Sequence, residues 1–357
     1  MTNETPASPA RNLPLGPVML DVAGFALTDE ERERLRHPLV GGVILFARNF
    51  RNSLQLAALT AEIHAVRERP LIIAVDHEGG RVQRFRNDGF THIPSMRSLG
   101  RLWEQDHVVA LESSRSAGYV LAAELLAHGV DLSFTPVLDL DYGCSRVVGD
   151  RAFHRDPQVV GALAQSLVSG MTEAGMGCVG KHFPGHGFAE ADSHVEIPVD
   201  ERDFNAIWAD DIAPYRDRLG SRLSGVMPAH VIYRRVDANP AGFSSFWLQD
   251  VLRTRVGFQG VIFSDDLTME GAAVAGDILA RASAAYTAGC DMVLVCNRPD
   301  LAADLLDRWN PQIGAESRAR IEALRSRPRC ADVATLEQHP IYQQARAVVS
   351  GIVERAA

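Results

Sequence analysis

Residues 181 to 194 read KHFPGHGFAEADSH, gathering Lys181, His182, His186, Asp192 and His194 around Pro184 and several glycines. Side chains of these types can hold a metal, move protons or attack a carbonyl. Imidazoles and carboxylates are common metal ligands. His182 and His186 are four apart, but Pro184, Gly185 and Gly187 oppose the helix that would align them. Neither HxH nor HExxH occurs anywhere in the chain. Metal binding is therefore the weaker reading. Lys181 could form a Schiff base if its amine were desolvated. Asp192 and His194, two apart, offer a third chemistry, in which a carboxylate orients an imidazole and stabilises its charged form.

Three further stretches carry candidate chemistry. VDHEGGRVQRF contains Asp76 and Arg84 around paired glycines, which form either a plain turn or a carboxylate and guanidinium gripping a polar ligand at close backbone approach. VVGDRAF contains Arg151, which either pairs with Asp150 or a neighbour, or lines a pocket together with Lys181 and Arg84. FSDDL supplies a carboxylate, Asp265. A base dyad facing a rigidly held carboxylate is what a two-step displacement requires.

The elements that must position these residues are eight short apolar runs: 17–22, 42–47, 71–76, 132–140, 178–183, 225–230, 260–266 and 291–296. Runs apolar on both sides suit parallel strands buried on both faces, and the intervals are long enough for crossover helices. Thr28 with Glu31 predicts a capping box. A second helix is expected from near Ser53 through LQLAALTAEIHAVRE. Eight such units without a break in composition predict an α/β fold, a single (β/α)8 TIM barrel, occupying 14–357 together with amphipathic C-terminal helices. Residues 1–13 are expected to be a frayed lead-in. A doubly wound open sheet is the alternative, but its GxGxxG fingerprint is missing after the first strand. Barrel enzymes carry their chemistry at the C-terminal ends of the strands. Asp76, Asp139, Lys181, His182, His230, Asp265 and Asp266 all fall at such ends.

Composition narrows the function classes. The chain has 357 residues, 46% of them apolar and 23% charged, which is ordinary for a folded domain. A net charge of −9 without a Lys/Arg block argues against nucleic-acid binding. Five scattered cysteines with no CxxC spacing suit a reducing compartment. The N-terminus lacks the features of a secretory signal, and no apolar run is long enough to span a membrane. The expected location is cytoplasmic.

The segments DHEGGRVQR, GDRAF, KHFPGHG followed by DSH, and FSDDLTMEG together resemble glycoside hydrolase family 3. The likeness is to its single-domain bacterial branch, the cytoplasmic β-N-acetylglucosaminidases of peptidoglycan recycling, and it runs from about residue 14 to about 340. The resemblance implies Asp265 as nucleophile and His194 as acid/base assisted by Asp192. It implies sugar contacts from Asp76, Arg84, Arg151, Lys181 and His182, with no cofactor and no metal. The expected ligand is a GlcNAc-containing muropeptide; no nucleic acid, membrane or obligate protein partner is expected. Two other classes stay open: a metal-dependent barrel hydrolase built on 181–194, and a non-catalytic sugar-binding module.

Overall fold

The computed structural model describes residues 13–190, 197–330 and 332–356. The expected lead-in falls almost wholly outside them. Eight parallel strands close on themselves: β1 (Val18–Asp21), β2 (Val40–Leu45), β3 (Ile72–Val75), β4 (Leu132–Ser133), β5 (Gly177–Phe183), β6 (Gly225–Pro228), β7 (Val261–Asp266) and β8 (Met292–Val295). Each pairs with its neighbour in sequence, and β1 pairs with β8 through Val18↔Val293 to Leu20↔Val295. This closure excludes the open doubly wound sheet.

The strands are apolar on both sides because both sides are covered. Ile72, Ile73, Ala74 and Val75 of β3 are at most 1% exposed. Burial at that level contributes roughly 1.5–3 kcal/mol for each large aliphatic side chain. β2 begins two residues before the expected start because its glycines belong to the sheet. A Cβ at Gly42 would stand 2.9 Å from the Ile72 carbonyl oxygen, so glycine permits the close approach of β3.

The expected fourth strand, 132–140, is regular only over Leu132–Ser133. Pro136 offers no N–H to a ladder. Beyond it the chain stays tied to β5, with Lys181 N–H donating to the Pro136 oxygen at 3.1 Å and Leu138 N–H to the Lys181 oxygen at 2.6 Å.

The crossover helices follow their caps. α1 (Asp29–Leu35) opens with the Thr28–Glu31 capping box. α2 (Ser53–His64) is capped by Asn52, whose side chain accepts the Gln55 N–H. It ends four residues before the expected limit, where Arg67 turns inward to donate to the Leu35 and His37 carbonyls. α3 (Met96–Gln105) and α4 (His107–Ala127) together link β3 to β4, and α5 (Pro157–Ala174) links β4 to β5. After β8 the described residues form four more helices, the last of them Pro340–Ala356, whose Tyr342 hydroxyl reaches Glu124 on α4.

Candidate active site

The residues at the C-terminal strand ends line a cleft of about 380 Å³. A larger groove, about 1050 Å³, lies among α1, the end of α2 and the helix Pro299–Arg308, beside the loops that lead into β2 and β3. Barrel chemistry sits where the strands end, so the smaller cleft is the candidate.

Its floor on one side is an ion network. Lys181, near the end of β5, places Nζ 2.7 Å from Asp76 Oδ1 and 2.7 Å from Glu78 Oε1. Arg151, from the loop after β4, grips both Glu78 oxygens at 2.8 Å. Arg84 reaches Asp76 at 3.4 Å. Burial alone would push the carboxyls up and the ammonium down. The opposite charges prevail: Asp76 and Glu78 are held below their ordinary values, and Lys181 and Arg151 above theirs. A lysine so paired is a poor Schiff-base nucleophile, which removes that alternative. Nor does Arg151 pair with Asp150, whose carboxylate is taken by Arg81 at 2.9 Å.

His182 is fixed from behind. Its Nδ1 lies 2.7 Å from Asp139 Oδ2, while Asp139 Oδ1 accepts the backbone N–H groups of His182 and His186. Burial raises the Asp139 carboxyl, but His182 and His186 outweigh it and bring it to about 2. With Nδ1 committed to the carboxylate, Nε2 is the nitrogen left for a ligand.

Asp265 and Asp266 end β7, and their roles separate. Asp266 accepts from Thr268 N–H, Thr268 Oγ1 and Cys296 N–H at 2.8–3.2 Å, as a turn-capping carboxylate does. Burial pushes its carboxyl up to about 6. Asp265 lines the cleft, and its Oδ1 accepts the backbone N–H of Asp266 at 2.8 Å. The charge on Asp265 also favours protonation of His186 and His230, although burial keeps both imidazoles below their ordinary value.

Asp76, Arg84, Arg151, Lys181, His182 and Asp265 thus converge on one cleft. Asp192 and His194 lie outside the described residues. The sequence reading misses two members. Glu78 is the hub of the ion network, and its signal is the two-residue spacing from Asp76, which in an extended chain points both side chains the same way. Asp139 is legible as a strand-end residue but not as the partner of His182. Among the described residues no group of three or more His, Cys, Asp or Glu is placed to hold a metal ion.

Residues 18–324 match the family described as the glycosyl hydrolase family 3 N-terminal domain. A β-hexosaminidase of Aromatoleum aromaticum is 82% identical over 349 residues, covering 98% of this chain and 98% of that one. The crystal structure of native NagZ from Neisseria gonorrhoeae aligns with a TM-score of 0.90 at 50% identity, over 96% of this chain and 99% of that one. A complex of the same neisserial protein with N-trifluoroacetyl-D-glucosamine aligns equally well, with a TM-score of 0.90 at 50% identity over 95% of this chain and 98% of that one. A family match across most of the chain, with relatives this similar along nearly their whole length, shows that the chain belongs to glycosyl hydrolase family 3.

Proposed function

We propose that this chain is a retaining, exo-acting β-N-acetylhexosaminidase that removes a terminal β-linked GlcNAc from peptidoglycan fragments in the cytoplasm. Its activity class follows from the β-hexosaminidase relative at 82% identity. The carrying observation is that Asp265, at the end of β7, faces the same cleft as the Asp76–Lys181–Glu78–Arg151 network. A hexosamine presents hydroxyls and an amide, and charged groups held in fixed positions are suited to hydrogen-bonding them. The aminosugar in the neisserial complex has that chemistry. The catalytic unit is taken as 14–357.

In this mechanism the Asp265 carboxylate attacks the anomeric carbon while His194, as imidazolium, gives its proton to the departing glycosidic oxygen. The C–O bond to the aglycone breaks as the C–O bond to Asp265 forms. Neutral His194 then takes a proton from water, the water oxygen bonds to the anomeric carbon, and Asp265 leaves as carboxylate. Two inversions retain the configuration. Asp192 orients the imidazole and stabilises its charged form. Asp76, Arg84, Arg151, Lys181 and His182 hold the terminal sugar. No step calls for a metal or cofactor.

The test is hydrolysis of a chromogenic β-GlcNAc glycoside by wild type and Asp265→Ala. The variant is expected to lose several orders of magnitude in turnover while still binding GlcNAc, since the grip lies on other residues. Turnover within about tenfold of wild type would end the assignment of the nucleophile. Inhibition by a chelator would favour the metal-dependent alternative, and release of internal oligomers from a long glycan would contradict exo action.

A further inference from the structure

Arg84 is the least firmly tied of the cations proposed to hold the sugar. Lys181 and Arg151 each make two contacts of 2.7–2.8 Å with carboxylates. Arg84 makes one of 3.4 Å, to Asp76, and its Nε has no partner among the described residues. The guanidinium also lies over the Phe46 ring, 5.8 Å from its centre. A bond that long, and an aromatic contact at the edge of its range, do little to set where a flexible side chain lies. The backbone that carries Arg84 has to do so instead.

That backbone is held on both sides of Arg84. Before it, Val82 and Gln83 pair antiparallel with His77–Gly79. After it, Phe85 is 0% exposed, its ring 5.2 Å from that of Phe50 and 5.4 Å from that of Phe90. Gln83, 4% exposed, closes the loop that follows. Its Nε2 donates to the Phe85 oxygen at 3.0 Å and to the Thr91 oxygen at 2.9 Å, and its Oε1 accepts the Ile93 N–H at 3.0 Å. Both amide hydrogens are thus committed to backbone carbonyls. The returning stretch is itself anchored. Thr91 donates its N–H and its hydroxyl to Glu124 on α4 at 2.8 and 2.5 Å, and the Ile93 oxygen accepts the Gly80 N–H at 2.9 Å. A buried amide that closes a loop satisfies the backbone whatever the loop does. Here one of the carbonyls it holds belongs to Phe85, so the side chain bridges directly across Arg84, the residue between.

We infer that Gln83 is a positioning residue for sugar binding, fixing the backbone from which Arg84 reaches the cleft. The inference rests on the proposed contact of Arg84 with the terminal sugar. A guanidinium hydrogen bond weakens steeply with distance and angle, so a shift of the backbone beneath it is felt at its tip.

The test is a double-variant cycle. KM and kcat for a chromogenic β-GlcNAc glycoside are measured for wild type, Gln83→Met, Arg84→Ala and the variant carrying both, with melting temperatures alongside. Methionine keeps the unbranched length of glutamine and removes all three hydrogen bonds. Gln83→Met is expected to raise KM about tenfold with kcat nearly unchanged, the pattern of binding lost equally from ground and transition states. Because the effect acts through Arg84, adding Gln83→Met to Arg84→Ala should raise KM by less than about twofold further. A wild-type KM for Gln83→Met, or an equal rise in both backgrounds, would make Gln83 a structural closure and overturn the inference. If Arg84→Ala itself leaves KM unchanged, the proposed sugar contact fails and the inference falls with it. Should Gln83→Met melt below the assay temperature, Gln83→Asn, whose amide stops one methylene short of the same partners, takes its place in the cycle.

Discussion

Replacing Glu78 by glutamine tests whether the ion network holds the cleft together. Glu78 is the only acid that touches both Lys181 and Arg151 among the described residues, and its side chain is 2% exposed. The substitution keeps shape and one acceptor oxygen but removes the charge. Lys181 would retain Asp76, whereas Arg151 would lose the charge it pairs with and keep at most one of its two hydrogen bonds to this side chain. Breaking a buried pair from one side costs about 3–5 kcal/mol, and the retained acceptor argues for the lower end, about 3 kcal/mol. With unfolding entropy near 2.1 cal/mol/K per residue, 357 residues give about 0.75 kcal/mol/K, so the melting temperature should fall by about 4 °C. The pH dependence has a definite sign. Because the Glu78 carboxyl is depressed in the folded state, its stabilisation is complete above the ordinary value of 4.5 and is lost as pH falls further. Wild type and Glu78→Gln should therefore differ at pH 7 and converge only in strong acid. Calorimetry at neutral pH, with KM for a β-GlcNAc glycoside measured alongside, checks this. An unchanged melting temperature together with an unchanged KM would refute the network's role.

Asp265→Asn should abolish turnover with little change in melting temperature, and Asp266→Asn should do the reverse, losing stability through its turn contacts while keeping a measurable fraction of turnover. Glu124, buried and bonded to Thr91 and Tyr342, has its carboxyl pushed up to about 7 by burial, so its folded form prefers the proton. Stability should then decline as pH rises from about 4.5 towards 7, and Glu124→Gln should flatten that slope in a series of melting curves. Asp76 and Glu78 are depressed and Lys181 and Arg151 raised, so the ion network should keep its charges between the ordinary carboxylate and lysine values, and the melting-temperature difference between wild type and Glu78→Gln should stay constant from pH 5 to 9.

The barrel is legible in the sequence because its physics is local. Parallel strands covered on both faces must be apolar throughout, and each of the eight apolar runs forms a strand. Departures fall where a long-range contact or backbone chemistry intervenes: at Pro136, which interrupts β4, and at Arg67, which draws the chain out of α2. In the site, position at a strand end is enough to mark Asp76, Lys181, His182 and Asp265. Pairing is not written in one sequence in the same way. The partner of Arg151 lies 73 positions away and that of Lys181 105, whereas the neighbouring Asp150 offers a nearer and mistaken partner.

The arrangement of charge also supports the proposal that the acid/base is an imidazole instead of a second carboxylate. The described side of the cleft already carries Asp76, Glu78, Asp265 and Asp266, balanced by Lys181, Arg84 and Arg151. A further carboxylic acid close to Asp265 would have its proton affinity raised by that charge, and once ionised it would repel the nucleophile it must work beside. An imidazole avoids this conflict. Brought beside Asp265, an imidazole would have its cationic form favoured by that charge, as is needed to protonate the leaving oxygen, and its neutral form would add no charge when water is to be activated.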